Sequence, residues 1–357
     1  MDGLVLPVGG LICGFLAGFA AQYGRLCTVG AIEDAVIAGD LRRSSAWAVA
    51  AAIAILGTQT LVLAGALDLS ATHYAHPRLD LVGLMIGGML FGLGAAFVGT
   101  CAFGLLVRLG TGDLRALVCA GVLGLAAFAA TGGILSPIRI HLAELAAVDT
   151  AALGGKTVTG IVAARFGAAA SIACVLLLGG GLLGFALTNQ RLYRKPRLIA
   201  ASCLMGCAIA LGWLVTGVLA DPFDGQRPES LTFVAPLGRL MLQVMGETLS
   251  TTGFAVATLF GVAAGSFAVA AVRGELRWEA FDDQREMRRH LLGAVLMGVG
   301  GVLARGCTIG QGLTGTSTLS IAAPIALFAM VMGAWLGLTH LIEGRPLFAR
   351  RRRGRAT

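Results

Sequence analysis

Charge is what this sequence has least of. Asp, Glu, Lys and Arg make up 13% of the 357 residues, about half the share of a soluble globular domain. That scarcity excludes an ordinary soluble enzyme. No CxxC pair, zinc-ribbon spacing, phosphate-binding P-loop or DNA-binding motif is visible. A dithiol oxidoreductase, a metal or cofactor site and a nucleic-acid partner are therefore not expected. Met1-Asp2-Gly3 lacks a basic leader, so the first apolar segment is expected to be retained as a helix.

What remains is apolar: 57% of the residues are hydrophobic. Charge-free windows cover 3–24, 46–67, 81–107, 116–138, 166–190, 198–220 and 248–272, each about long enough to cross a bilayer, which takes ~20 residues. A shorter run, 291–304, stops at Arg305, and 306–342 holds room for a loop and a further helix. The expected fold is an all-α polytopic membrane protein with about nine crossings, forming one transmembrane domain over 1–357 with halves near 1–190 and 191–342.

The basic residues test that reading. With the N-terminus outside, the inner segments and the tail from 343 hold 19 of the 27 Lys and Arg, while the outer segments hold 6. This bias is what the positive-inside rule asks of a chain with its C-terminus in the cytoplasm. The tail Arg350-Arg351-Arg352-Arg353-Gly354-Arg355 reads as an anchor on anionic lipid.

Glycine is abundant, with 53 residues, and a subset recurs in a frame around cysteine. Gly92-x-Gly94 stands before Cys101 with Gly104 three residues after it, and Gly298-x-Gly300 before Cys307 with Gly310 after it, at identical spacing. Cys27 has Gly18 and Gly30 in the same places, with Ala20 at the middle position. Arg25-Leu26-Cys27-Thr28-Val29-Gly30 also matches Arg305-Gly306-Cys307-Thr308-Ile309-Gly310. A fainter copy without cysteine runs from Gly261 and Gly265 to Gly274.

The first and third segments meet their cysteines while travelling inward, the eighth while travelling outward, so the halves read as inverted. Inverted repeats with broken helices are a recurring transporter design. Residues 291–304 would span only about 21 Å as a helix, which argues for a break at Cys307. The hydroxyl-rich run Thr314-Gly315-Thr316-Ser317-Thr318-Leu319-Ser320 suits backbone that must be satisfied at depth. A thiol is a weak donor and a soft acceptor, while freed backbone N–H groups and intramembrane Arg25 and Arg305 favour an anion. Together they describe a path for a soft, sulfur-containing anion.

Any one cysteine alone reads as a small core residue, and Cys13, Cys119 and Cys174 are read so. Cys203 and Cys207, at i and i+4, read as packing in the absence of a His or carboxylate partner. Glu33 and Asp34 read as interfacial, and His73, His76 and His141 as loop residues. The segment 221–247, with Pro222, Pro228 and Pro236, reads as a cap.

The Gly-x-Gly ahead of Cys101, the Arg-x-Cys-Thr-x-Gly pair and the continuation Gly310-Gln311-Gly312 resemble the YeeE/YedE sulfur transport family of bacterial inner-membrane proteins, over essentially the whole chain. The resemblance implies uptake of thiosulfate and two pseudo-symmetric helical halves, with short broken helices around a narrow path. It maps the family thiols to Cys27, Cys101 and Cys307, which hand the ion along by transient S–H contacts without net chemistry. Arg25, Arg305, Thr28, Thr308, Gly30, Gly104, Gly310 and Gln311 would complete the site. Some relatives carry other sulfur or selenium species, such as persulfide or a sulfite-like anion, and some work with a small cytoplasmic sulfur-carrier protein. No appended soluble domain is visible, so such a carrier would be a separate chain. The Cys101 site, Gly99-Thr100-Cys101-Ala102, departs by lacking the Arg and the following Thr. The rival classes are a membrane thiol oxidoreductase, disfavoured by the missing CxxC, and a soft-metal transporter, disfavoured by cysteines dispersed without a Met or His cluster.

Overall fold

A computed structural model describes residues 4–75, 78–145, 147–149, 157–220, 227–246 and 253–343. His76, Pro222 and the arginine-rich tail lie outside the described residues. Backbone buried in hydrocarbon must satisfy its own polar groups, and a helix does so within one segment. Each charge-free window accordingly becomes helix: α1 (Val5–Gly24), α3 (Arg42–Leu63), α4 (Leu81–Val98), α6 (Leu114–Thr131), α9 (Ala168–Thr188), α11 (Pro196–Leu214), α13 (Phe254–Arg273) and α15 (Ala322–Glu343). Among the described residues, these eight helices are long and apolar enough to cross a membrane.

The short elements sit at breaks and in connections: α2 (Thr28–Glu33), α5 (Ala102–Gly110), α7 (Ser136–Leu145), α8 (Val158–Phe166), α10 (Gln190–Tyr193) and α12 (Val234–Met245). The cap segment 221–247 thus contains a helix of its own. Two three-residue strands, β1 (Arg78–Asp80) and β2 (Ala147–Asp149), pair antiparallel. Asp80 caps α4 by accepting from the Gly83 N–H at 2.8 Å, Asp113 caps α6, and Pro196 opens α11.

The eighth apolar segment differs from expectation. α14 (Gln284–Leu303) has 20 residues, not 14, because its first two turns contain Arg285, Glu286, Arg288, Arg289 and His290. Helical geometry carries through a charged stretch that apolar counting cannot see.

Most glycines are contact points between helices. α1 packs chiefly on α13, and α4 on α14 and α15. A Cβ on Gly293 would come within 2.7 Å of the Gly94 carbonyl, and one on Gly300 within 2.7 Å of the Gly87 carbonyl. Gly14 and Gly18 of α1 rest against the backbone of Thr258 and Val262, while Gly261 and Gly265 of α13 rest against Leu11 and Phe15. Gly261 and Gly265 of the fainter copy are therefore helix packing, while Gly274 ends α13 in the left-handed region (φ 65°) with nothing within 4 Å of a Cβ placed there. α9 is the least covered helix, with Leu176 and Leu177 exposed, and it packs on α3 and α8.

Candidate functional site

Three breaks in the helices share one backbone device. α1, α4 and the segment after α14 reach a residue in the left-handed region two positions before the cysteine: Arg25 (φ 54°), Gly99 (φ 76°) and Arg305 (φ 56°). Two of the three are arginines in a conformation that L side chains rarely adopt. Behind Arg25 and Arg305 the chain closes the same way, with the Leu26 N–H donating to the Ala21 carbonyl at 3.0 Å and the Gly306 N–H to the Gly301 carbonyl at 2.8 Å. This is the helix-ending pattern of a left-handed residue with a six-to-one bond.

Each cysteine then starts the next helical turn. The Cys27, Cys101 and Cys307 carbonyls accept from the N–H of Ala31, Leu105 and Gln311 at 3.0, 3.0 and 2.7 Å. The Gly30 N–H donates to Cys27 Sγ at 3.4 Å, and the Gly310 N–H to Cys307 Sγ at 3.3 Å. A Cβ at Gly30 would meet Arg43 and the Cys27 side chain, and one at Gly310 would meet Thr232 and the Cys307 sulfur; the glycines keep the N–H groups reachable. Gly104 differs, because it faces Thr100 and the Cys101 side chain has no cap bond of this kind.

The cysteines are brought together. Cys101 lies within electrostatic range of both Cys27 and Cys307. Thr28 and Thr308 approach to 3.4 Å between hydroxyl oxygens. Cys101 and Cys307 are buried and Cys27 is half-buried. The other five cysteines are single free thiols, and no group of three or more His, Cys, Asp or Glu suited to a metal occurs among the described residues.

After Cys307 the chain forms a π-helical turn, Gly310–Gly315, and the hydroxyl run satisfies this irregular backbone. Thr314 Oγ1 donates to the Leu231 carbonyl at 2.7 Å, Ser317 Oγ to the Thr314 carbonyl at 2.7 Å and Thr318 Oγ1 to the Gly315 carbonyl at 2.8 Å. Tyr74 Oη donates to the Gly310 carbonyl at 2.6 Å.

Helix C-termini carry partial negative charge, which would repel an anion. Side chains cap each of these ends. Arg273 donates to the Gln22 and Tyr23 carbonyls at the end of α1, Arg108 to the Gly99 carbonyl after α4, and Gln311 Nε2 to the Ala304 and Arg305 carbonyls after α14, at 3.0 and 3.1 Å. Sequence reasoning missed Arg43, Arg108 and Arg273, because each stands at the end of an apolar run and counts there as a loop charge. Arg25 also departs from expectation. Its exposed side chain pairs with Glu275 at 3.1 Å.

Arg305 and Gly306, by contrast, line a cavity of about 710 Å³ together with His73, Arg139, Arg227, Glu229 and Arg239. These come from the segments that charge counting assigns to one side. A second cavity of about 350 Å³ is lined by Arg108, Asp113, Arg115, Glu275, Arg277 and Glu279, from the segments assigned to the other. Arg305 and Gly306 of the first cavity directly precede Cys307 in the chain, and Arg108 of the second lies within electrostatic range of Cys27.

Known proteins of the same kind carry names that fit this arrangement. A family model described as sulphur transport matches residues 23–336. The thiosulfate transporter TsuA of Escherichia coli (strain K12) is 27% identical over 362 residues, covering 95% of each chain. The thiosulfate transporter TsuA of Spirochaeta thermophila is 26% identical over 345 residues, covering 91% of this chain and 96% of its own. With the match spanning all three thiol breaks, the chain belongs to the sulphur transport family.

Proposed function

We propose that this chain is an inner-membrane permease that imports thiosulfate, passing the ion from Cys307 to Cys101 to Cys27. The single observation that carries the reading is the repeated break that starts a helical turn at each of three thiols, with Cys101 within electrostatic range of the other two. The relatives named as thiosulfate transporters support the substrate, and the positive-inside bias supports a cytoplasmic C-terminus.

The wider cavity then faces outward. Its arginines concentrate a dianion from dilute surroundings. At Cys307 the Gly310 N–H already points at the sulfur, so an anion that sheds water meets a fixed dipole instead. Each S–H donates a weak hydrogen bond to the ion's sulfur or oxygen, so no station holds it long. The thiols return unchanged, and no cofactor is required. The chain acts as one transport unit with inverted halves, and the tail from 343 rests on anionic lipid. A small sulfur-carrier protein on the cytoplasmic side, as a separate chain, would collect the ion beside Arg108.

The test is uptake of radiolabelled thiosulfate by cells lacking their own sulfate and thiosulfate importers. Uptake with the wild-type chain, lost in Cys307→Ala at equal membrane insertion, supports the reading. A correctly inserted wild-type chain without uptake overturns thiosulfate as substrate and redirects the search to persulfide, sulfite-like or selenium anions.

A further inference from the structure

The cavity that adjoins Cys307 contains a carboxylate that an anion path does not explain. Glu229 lines it together with four arginines, Arg139, Arg227, Arg239 and Arg305. Its side chain is 14% exposed, and Oε2 lies 3.5 Å from Arg239 Nη1. The residue is held in place by its own backbone: Thr216 Oγ1 donates to the Glu229 carbonyl at 2.6 Å, and the Glu229 N–H donates to Thr216 Oγ1 at 3.2 Å. A fixed negative charge in the wall of an anion cavity opposes the cargo unless it is neutralised there.

We propose that Glu229 is a proton site linked to anion capture: ionised and paired with Arg239 in the resting protein, and protonated when a dianion occupies the cavity. The inference rests on the thiosulfate reading. The groups around Glu229 come from several elements. Arg239 stands on α12, Arg227 on the same loop, Arg139 on α7 and Arg305 after α14, with His73 beside the cavity on the α3–α4 connection. Tyr74, on that connection, lies within electrostatic range of Glu229, and Asp80 lies within range of Arg305.

The guanidinium groups stabilise the ionised carboxylate, and burial opposes them. Burial is the larger effect, and it holds Glu229 above the ordinary carboxylate range even beside Arg239. A dianion placed among these arginines spends their charge and repels the carboxylate, so the proton affinity of Glu229 rises further. Linkage is reciprocal: a proton on Glu229 tightens anion binding by the same factor. Anion capture is therefore stronger on the more acidic side of the membrane.

The experiment is an infrared pH titration of the full-length purified chain, following the carboxylic-acid carbonyl band. Sodium thiosulfate is the probe and sodium chloride at matched ionic strength the control. The expected result is a band that is missing from Glu229→Gln and whose midpoint moves up by about one pH unit or more with thiosulfate, the shift expected of a like charge placed nearby. An unmoved midpoint, or an unchanged band in Glu229→Gln, overturns the proposal. Thiosulfate uptake by wild-type cells at fixed pH separates the two readings. With uptake intact and the midpoint unmoved, the proton site alone fails; with uptake also absent, the thiosulfate reading fails with it.

Discussion

Thr28 and Thr308, 280 residues apart in sequence, face each other with 3.4 Å between their hydroxyl oxygens. Each follows the cysteine of its own break, so the contact joins the two Arg-x-Cys-Thr copies at one point.

Valine keeps the shape of threonine and removes the hydroxyl. We expect Thr28→Val and Thr308→Val each to reduce uptake about fivefold, the equivalent of one hydrogen bond of ~1 kcal/mol. The double variant should be little worse than either single one, because the contact is lost once. Additive losses in the uptake assay would mean that the hydroxyls act separately.

The thiols should be irreplaceable and structurally dispensable. Cys101→Ala and Cys307→Ala are each expected to abolish thiosulfate uptake while membrane insertion and thermal stability hold. Both variants transporting normally would remove the relay.

The left-handed arginines separate backbone from charge. Glycine adopts that conformation freely, and a non-glycine residue there costs roughly 1–2 kcal/mol. Arg25→Gly should therefore leave stability and uptake near wild type, since relief of the left-handed backbone offsets the lost pairing with Glu275. Arg305→Gly should also fold, yet raise KM for thiosulfate, because the cavity beside Cys307 loses a cation. Equal transport by the two glycine variants would show that Arg305 serves the backbone alone.

Glu275 gives a pH signature on the opposite face. Slight burial opposes ionisation there, but hydrogen bonds from Arg25 and Gln22 outweigh it and hold the carboxyl below its ordinary value of 4.5. A lowered folded-state pKa contributes stability above that ordinary value, and the contribution is lost as pH falls through the folded value. Glu275→Gln should lower the melting temperature at neutral pH and not at acidic pH. A pH-independent difference would contradict the assignment.

Where helices touch through glycine, a side chain has no room. Gly94→Leu and Gly300→Leu should cost several kcal/mol by overpacking and abolish the folded monomer in fluorescence-detected size exclusion. Gly180→Leu, on the open face of α9 where nothing lies near its Cβ, should fold normally.

The crossings were legible because hydrocarbon imposes one simple rule on long apolar runs. The thiol frame was legible because three copies shared a spacing. The length of α14 was hidden because Arg285 to His290 read as loop while the helix runs on through them. Arg25 was misplaced because sequence adjacency to Cys27 says nothing of side-chain direction, and only the fold brings Glu275 beside it. Arg139, Arg239 and Glu229 carry no local motif; they become a site through the meeting of α7, α12 and the loop before it. The caps Arg108, Arg273 and Gln311 serve carbonyls of residues near or far in sequence, and no spacing rule connects them.

The interlocked pairs α1–α13 and α4–α14 have a mechanical meaning. Backbones seated against each other without intervening side chains cannot shear past one another by fractions of a turn. In the relay proposed above, the rails of this ladder stand still and the thiol and hydroxyl groups are the rungs that turn. Such turning moves single side chains, unlike the microsecond-to-millisecond rocking of whole domains. Throughput in such a frame is set by how fast an ion sheds and regains its water, and transport should depend only weakly on bilayer thickness and lateral pressure.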